Sequence, residues 1–200
     1  MYTFVSMNFL AHIYLSEDIP KVTIGNFIAD QISRNKFDHF HPEIIKGIQL
    51  HRHIDHFTDT HSLVKQSKKR LHKNYSHYSG VIVDILYDHF LAKNWSYYSE
   101  EPLPLYVDRF YELLMDYQEI LPSETQRLMP YMIRDNWLGS YETIEGIGKI
   151  LHQMNRRTKN RSKMNFAVIE LEEFYGDFED EFTIFFEELK ESAHQKLISL

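Results

Sequence analysis

Cysteine is absent from this chain of 200 residues. That excludes disulfides, thiolate catalysis and cysteine-based zinc sites. Glycine and proline are scarce, at seven and six residues. Turns are therefore few and the elements between them long, which favours helices. No apolar run approaches the length of about 18 residues that a membrane span needs. The N-terminus lacks a basic stretch followed by an apolar one, so no signal peptide is expected and the cytoplasm is the default location. The length suits a single domain over 1–200 with a full core.

The formal net charge is −7, which argues against general nucleic-acid binding. The charge is unevenly spread. Segment 151–165 carries Arg156, Arg157, Lys159, Arg161 and Lys163 and no acid, and segment 65–73 carries Lys65, Lys68, Lys69, Arg70 and Lys73 and no acid. Both read either as solvated helix faces or as patches for an anionic partner.

Hydrophobic periodicity predicts an all-α fold of roughly eight to ten helices, with no convincing strand pattern. Ser6 suits an N-cap before the apolar stretch 7–15, and Pro20 opens a helix to about Ser33. Pro42 opens the next, to about Thr58, and a basic amphipathic helix covers 61–75. Ser79 suits the cap of a helix over 80–94. Helices follow at 104–120, 123–129, 131–138 (Pro130 separating the last two) and 142–157. The rest is helical with a break at Gly176.

Polar side chains recur at helical spacing inside these apolar stretches. Asn8 and His12, Asn26 and Asp30, His51 and Asp55, and Asp84 and Asp88 each stand four residues apart. Residues at that spacing share one helix face. His89 follows Asp88 directly. Burying several carboxylates requires countercharge. Arg52 and the histidines supply some; one or two divalent cations supply it more simply. Imidazole with carboxylate suits manganese, iron, zinc or magnesium, zinc less so if the site is rich in oxygen and six-coordinate. Other readings exist for single residues. Asp30 suits local backbone hydrogen bonds near a helix end, and Asp55 and Asp59 suit a solvated face. His39, His41, His61, His72, His77, His152 and His194 are read as background, and the aromatic and methionine stripes as core.

Five blocks in order carry a resemblance: MNFLAH (7–12), GNFIAD (25–30), GIQLHRHID with a following TD (47–55, 58–59), VDILYDHFLAKNW (83–95) and MNRR (154–157). Together they resemble the acyl carrier protein phosphodiesterase family, hydrolases related to the HD-type metal-dependent phosphohydrolases. The resemblance implies an HD-like helical enzyme using a divalent cation, typically manganese, with magnesium or iron as alternatives. It implies removal of 4′-phosphopantetheine from holo-acyl carrier protein. Carried onto this chain, the ligand candidates are His12, Asp30, His51, Asp55, Asp84, Asp88 and His89. The family usually shows HRRID where this chain has HRHID, so His53 replaces an arginine. Tyr87 stands where tryptophan is common, and six residues precede the usual start at Met7.

On that basis, Arg52 with Arg156 or Arg157 is expected to clamp phosphoryl oxygens, and His89, His53 or His12 to protonate the leaving serine. Asn8 and Asn26, one turn before ligand candidates, are expected to orient ligands or contact substrate. The basic segments are expected to dock the acidic carrier protein. Two alternatives remain: an HD-type hydrolase of nucleotides or other small phosphoesters, and a non-catalytic helical binder of an acidic partner.

Overall fold

The computed structural model describes residues 9–33 and 37–200. Ser6 and Asn8 lie outside them. Among the described residues the regular structure is entirely helical, as the periodicity predicts: ten α-helices joined by short 3₁₀ turns. They are α1 (Phe9–Tyr14), α2 (Pro20–Ile28), α3 (Pro42–Thr60), α4 (Ser62–Tyr75) and α5 (Ser79–Lys93). After these come α6 (Leu103–Asp116), α7 (Ser123–Arg134), α8 (Ile144–Arg157), α9 (Val168–Glu173) and α10 (Tyr175–Ser199).

Helix α5 is the axis of the fold. It buries Ile82, Val83, Ile85, Leu86, Tyr87, Phe90 and Leu91, so apolar side chains surround it on nearly all sides. A helix apolar all round belongs inside the molecule. Each large side chain buried there contributes about 1.5–3 kcal/mol. Helices α1, α4, α8 and α10 pack on α5, and α10 also covers α3 and α4. The aromatic stripe of α10, Phe178, Phe182, Phe185 and Phe186, faces inward.

Local signals explain several boundaries. Pro20 and Pro42 sit in the first turns of α2 and α3, where a missing N–H costs nothing. His41 and His61, read as background, are N-caps: each Nδ1 accepts a backbone N–H, from Glu43 and from Leu63. Thr143 caps α8 by accepting from the Gly146 N–H.

Other boundaries differ from expectation. Helix α2 stops at Ile28, and a 3₁₀ turn, Ala29–Gln31, carries Asp30. Ser79 is not a cap; its hydroxyl donates back to the Ser76 carbonyl. The expected helix 104–120 ends at Asp116, before a separate turn at Gln118–Ile120. Pro130 lies inside α7 rather than between two helices. It is solvent-exposed, so the carbonyl it leaves unpaired can bond to water. The late break falls at Phe174, and Gly176 belongs to the first turn of α10.

Candidate metal centre

Helices α2 and α3 cross closely at Gly25 and Gly47. A Cβ on Gly25 would lie 2.1 Å from the Ile44 carbonyl oxygen, and one on Gly47 would lie 2.1 Å from that of Val22. Only glycine permits this approach. It sets Asn26, the next residue of α2, beside His51, one turn further along α3.

Asn26 is fully buried and acts as a hub. Its Nδ2 donates to the His12 carbonyl at 2.7 Å and to Ser16 Oγ at 3.1 Å. That orientation makes Oδ1 the acceptor. Both His12 Nδ1, at 2.9 Å, and His51 Nδ1, at 3.2 Å, meet this single oxygen. The two imidazoles stack with centroids 4.1 Å apart. With the proton on Nδ1 in each ring, both Nε2 atoms face the other way, toward acids. His51 Nε2 lies 3.1 Å from Asp30 and 3.2 Å from Asp55, and His12 Nε2 lies 3.5 Å from Asp55.

The electrostatics follow from these contacts. Burial opposes charge on His51, but hydrogen bonds to Asp30 and Asp55 outweigh it and raise its pKa to about 9. Burial likewise opposes charge on Asp55, yet the hydrogen bonds of His12 and His51 hold its carboxyl well below the usual range. Asp84 and Asp88 go the other way. Burial pushes Asp84 up to about 7, with Lys68 working against it and Asp55, Asp59 and Asp30 adding to it. Burial pushes Asp88 up to about 8, although the amides of Ala11 and Leu10 favour its charged form.

Asp55, Asp84 and Asp88 meet in one cleft of about 230 Å³. His12, Asp30, Asp55, Asp59, Asp84 and Asp88 form its polar side, and Ile54, Tyr87, Phe182, Phe185, Phe186 and Leu189 face them. His12, His51 and Asp55 offer ligand atoms all within 4.8 Å of one another, a group that can hold a metal ion. The donor set fits a divalent cation. Each imidazole presents Nε2 while donating Nδ1–H to a fixed acceptor, the usual arrangement behind a metal-binding histidine.

Other expected site residues lie elsewhere. His89 does not join the cluster: its Nδ1 meets the Tyr141 carbonyl at 2.7 Å and its Nε2 the Tyr175 hydroxyl at 2.9 Å. The residue after Asp88 is turned about 100° round the helix, away from the cleft. His53 reaches Ser192 Oγ on α10 at 2.8 Å. Arg52 lays its guanidinium 4.7 Å from the Phe37 ring, with Nη2 buried and unpartnered. Arg157 lies over Trp137, and Arg156 is exposed. None of these lines the cleft. Asp88 lines it, but both its oxygens also accept backbone N–H bonds, from Leu10 at 3.0 Å and Ala11 at 2.9 Å.

The apolar wall from α10 is a part of the site that the sequence did not disclose, because a cleft-facing phenylalanine has the same spacing as a core one. Asp59 did carry a signal, standing one turn beyond Asp55 on the same face.

The fold and the site thus define an all-α protein whose central cleft gathers imidazoles and carboxylates fit for a divalent cation. Residues 7–189 match the family model described as acyl carrier protein phosphodiesterase. The chain is 30% identical over 191 residues to the acyl carrier protein phosphodiesterase of Photorhabdus laumondii, covering 95% of this chain and 96% of that one. It is 30% identical over 193 residues to that of Yersinia pestis (96% and 100% covered). It is 29% identical over 196 residues to that of Escherichia coli (96% and 100%). No solved structure matches at a significant level. The chain belongs to the acyl carrier protein phosphodiesterase family, and so to a family of hydrolases.

Proposed function

We propose that this protein is a manganese-dependent phosphodiesterase that removes 4′-phosphopantetheine from holo-acyl carrier protein in the cytoplasm, leaving the apo form. The observation that carries the reading is the grouping of His12, His51 and Asp55 around Asn26, within a chain matched over nearly its whole length to relatives of that name. His12, His51 and Asp55 would hold the ion, with Asp30, Asp84 and Asp88 available on the same cleft. When bound, a divalent cation lowers the pKa of a water toward neutrality and offsets charge on phosphoryl oxygens. Asn26, by holding both Nδ1 atoms, would leave both Nε2 atoms free to hold the ion. Phe182, Phe185 and Phe186 keep water from the opposite side. Exposed Lys65, Lys69 and Lys73 on α4 suit an acidic carrier protein.

Mass spectrometry of holo-carrier protein incubated with the protein and manganese tests this. Loss of the phosphopantetheine mass is expected, and its retention with both wild-type protein and metal present would refute the reading.

A further inference from the structure

The cleft is short of positive charge. Five carboxylates line it, from Asp30, Asp55, Asp59, Asp84 and Asp88, and no lysine or arginine does among the described residues. A phosphodiester is an anion, and one divalent cation leaves it beside several acids. The three arginines expected to clamp it lie elsewhere.

One lysine is held at the mouth. Lys68 Nζ donates to Asp59 Oδ1 at 2.8 Å, and no other lysine or arginine among the described residues pairs with a carboxylate of the cleft. Its side chain is 23% exposed, whereas Lys65, Lys69 and Lys73 of the same helix stand in solvent. Lys68 packs over Gly80 of α5. A Cβ there would lie 3.4 Å from Lys68 Cε and 3.6 Å from Nζ. Gly80 is one turn before Asp84 on α5, so Lys68 packs against the face of α5 that carries that acid. An ammonium has three donors. One serves Asp59, and the other two have no protein partner among the described residues.

We propose that Lys68 is a phosphate-binding residue, donating to a phosphoryl oxygen of the substrate at the mouth of the cleft, with Asp59 holding the ammonium in place. This rests on the phosphodiesterase reading. It separates Lys68 from the exposed lysines of α4, which act on the carrier protein's surface and not on the phosphate.

The test compares Lys68→Gln, Lys68→Arg and Lys69→Gln by calorimetric titration of manganese, then of inorganic phosphate into manganese-loaded protein. It also compares kcat/KM on bis(p-nitrophenyl) phosphate and on holo-carrier protein. Lys68→Gln is expected to weaken phosphate binding about tenfold, the worth of one charge-assisted hydrogen bond. It should lower kcat/KM on both substrates in similar proportion, with manganese binding and thermal midpoint unchanged. Lys68→Arg should recover most of the loss, and Lys69→Gln should affect the carrier protein alone. Phosphate binding at the wild-type level in Lys68→Gln would overturn the proposal. A loss confined to the carrier protein, or lost manganese, would do the same. Lys68-dependent phosphate binding in a wild-type protein that cleaves neither diester would sink the phosphodiesterase reading while leaving the phosphate site standing.

Discussion

Gly25 and Gly47 meet backbone to backbone: a Cβ on Gly47 would lie 2.9 Å from Gly25 Cα. The contact is with main chain, which cannot swing aside as a side chain can. Gly47→Ala is therefore expected to cost about 3 kcal/mol, the upper end for overpacking, and to weaken manganese binding by parting Asn26 from His51. Gly176 has nothing within 4 Å of its would-be Cβ and sits in a helix, so Gly176→Ala should gain up to about 1 kcal/mol. Urea denaturation of both variants checks this; equal stability of the two would refute the tight crossing.

Asn26→Leu removes the common acceptor of both imidazoles. Manganese affinity should fall by roughly 10–100-fold, as for other partners behind metal ligands, even though every direct ligand remains. Titration calorimetry reads it. Wild-type affinity in this variant would show that the rings are oriented by something else.

Metal-free protein should lose stability as pH rises. Asp84 and Asp88 have folded pKa values of about 7 and about 8, above the unfolded carboxylate value, so the folded state keeps protons that the unfolded state has lost. His51, at about 9 against 6.5 unfolded, adds to the same slope between those values. Asp55 acts oppositely, but only in acid, where its depressed value matters. Thermal midpoints of chelator-treated protein should therefore decline from pH 6 to 9, with manganese flattening the decline by replacing protons. A rising midpoint across that window would contradict it.

Charge reversal of Lys65 and Lys69 to Glu should lower activity on holo-carrier protein and spare bis(p-nitrophenyl) phosphate. The effect should shrink in high salt, since both lysines are exposed. Equal loss on both substrates would place the effect inside the cleft.

Much of the architecture was legible because it depends on spacing. The scarcity of glycine and proline and the period of 81–91 point to helices, and the pairs His51/Asp55 and Asp84/Asp88 do turn their acids to one cleft. Spacing alone could not place His89 and Arg52, because each adjoins a residue of the site, Asp88 and His51, and neighbours on a helix point some 100° apart. Pro130 misled because the cost of a proline inside a helix depends on whether the freed carbonyl reaches water, which is a tertiary fact. The aromatic wall and the place of Lys68 depend on how α10 and α4 pack, and no local pattern encodes that.

Both oxygens of Asp88 are engaged by the opening turn of α1, so the segment bearing His12 hangs from the central helix by one acid. Any ligand that draws Asp88 toward itself must loosen that suspension. The amide protons of Leu10 and Ala11 are thus natural reporters of cleft occupancy, legible by hydrogen exchange without a label.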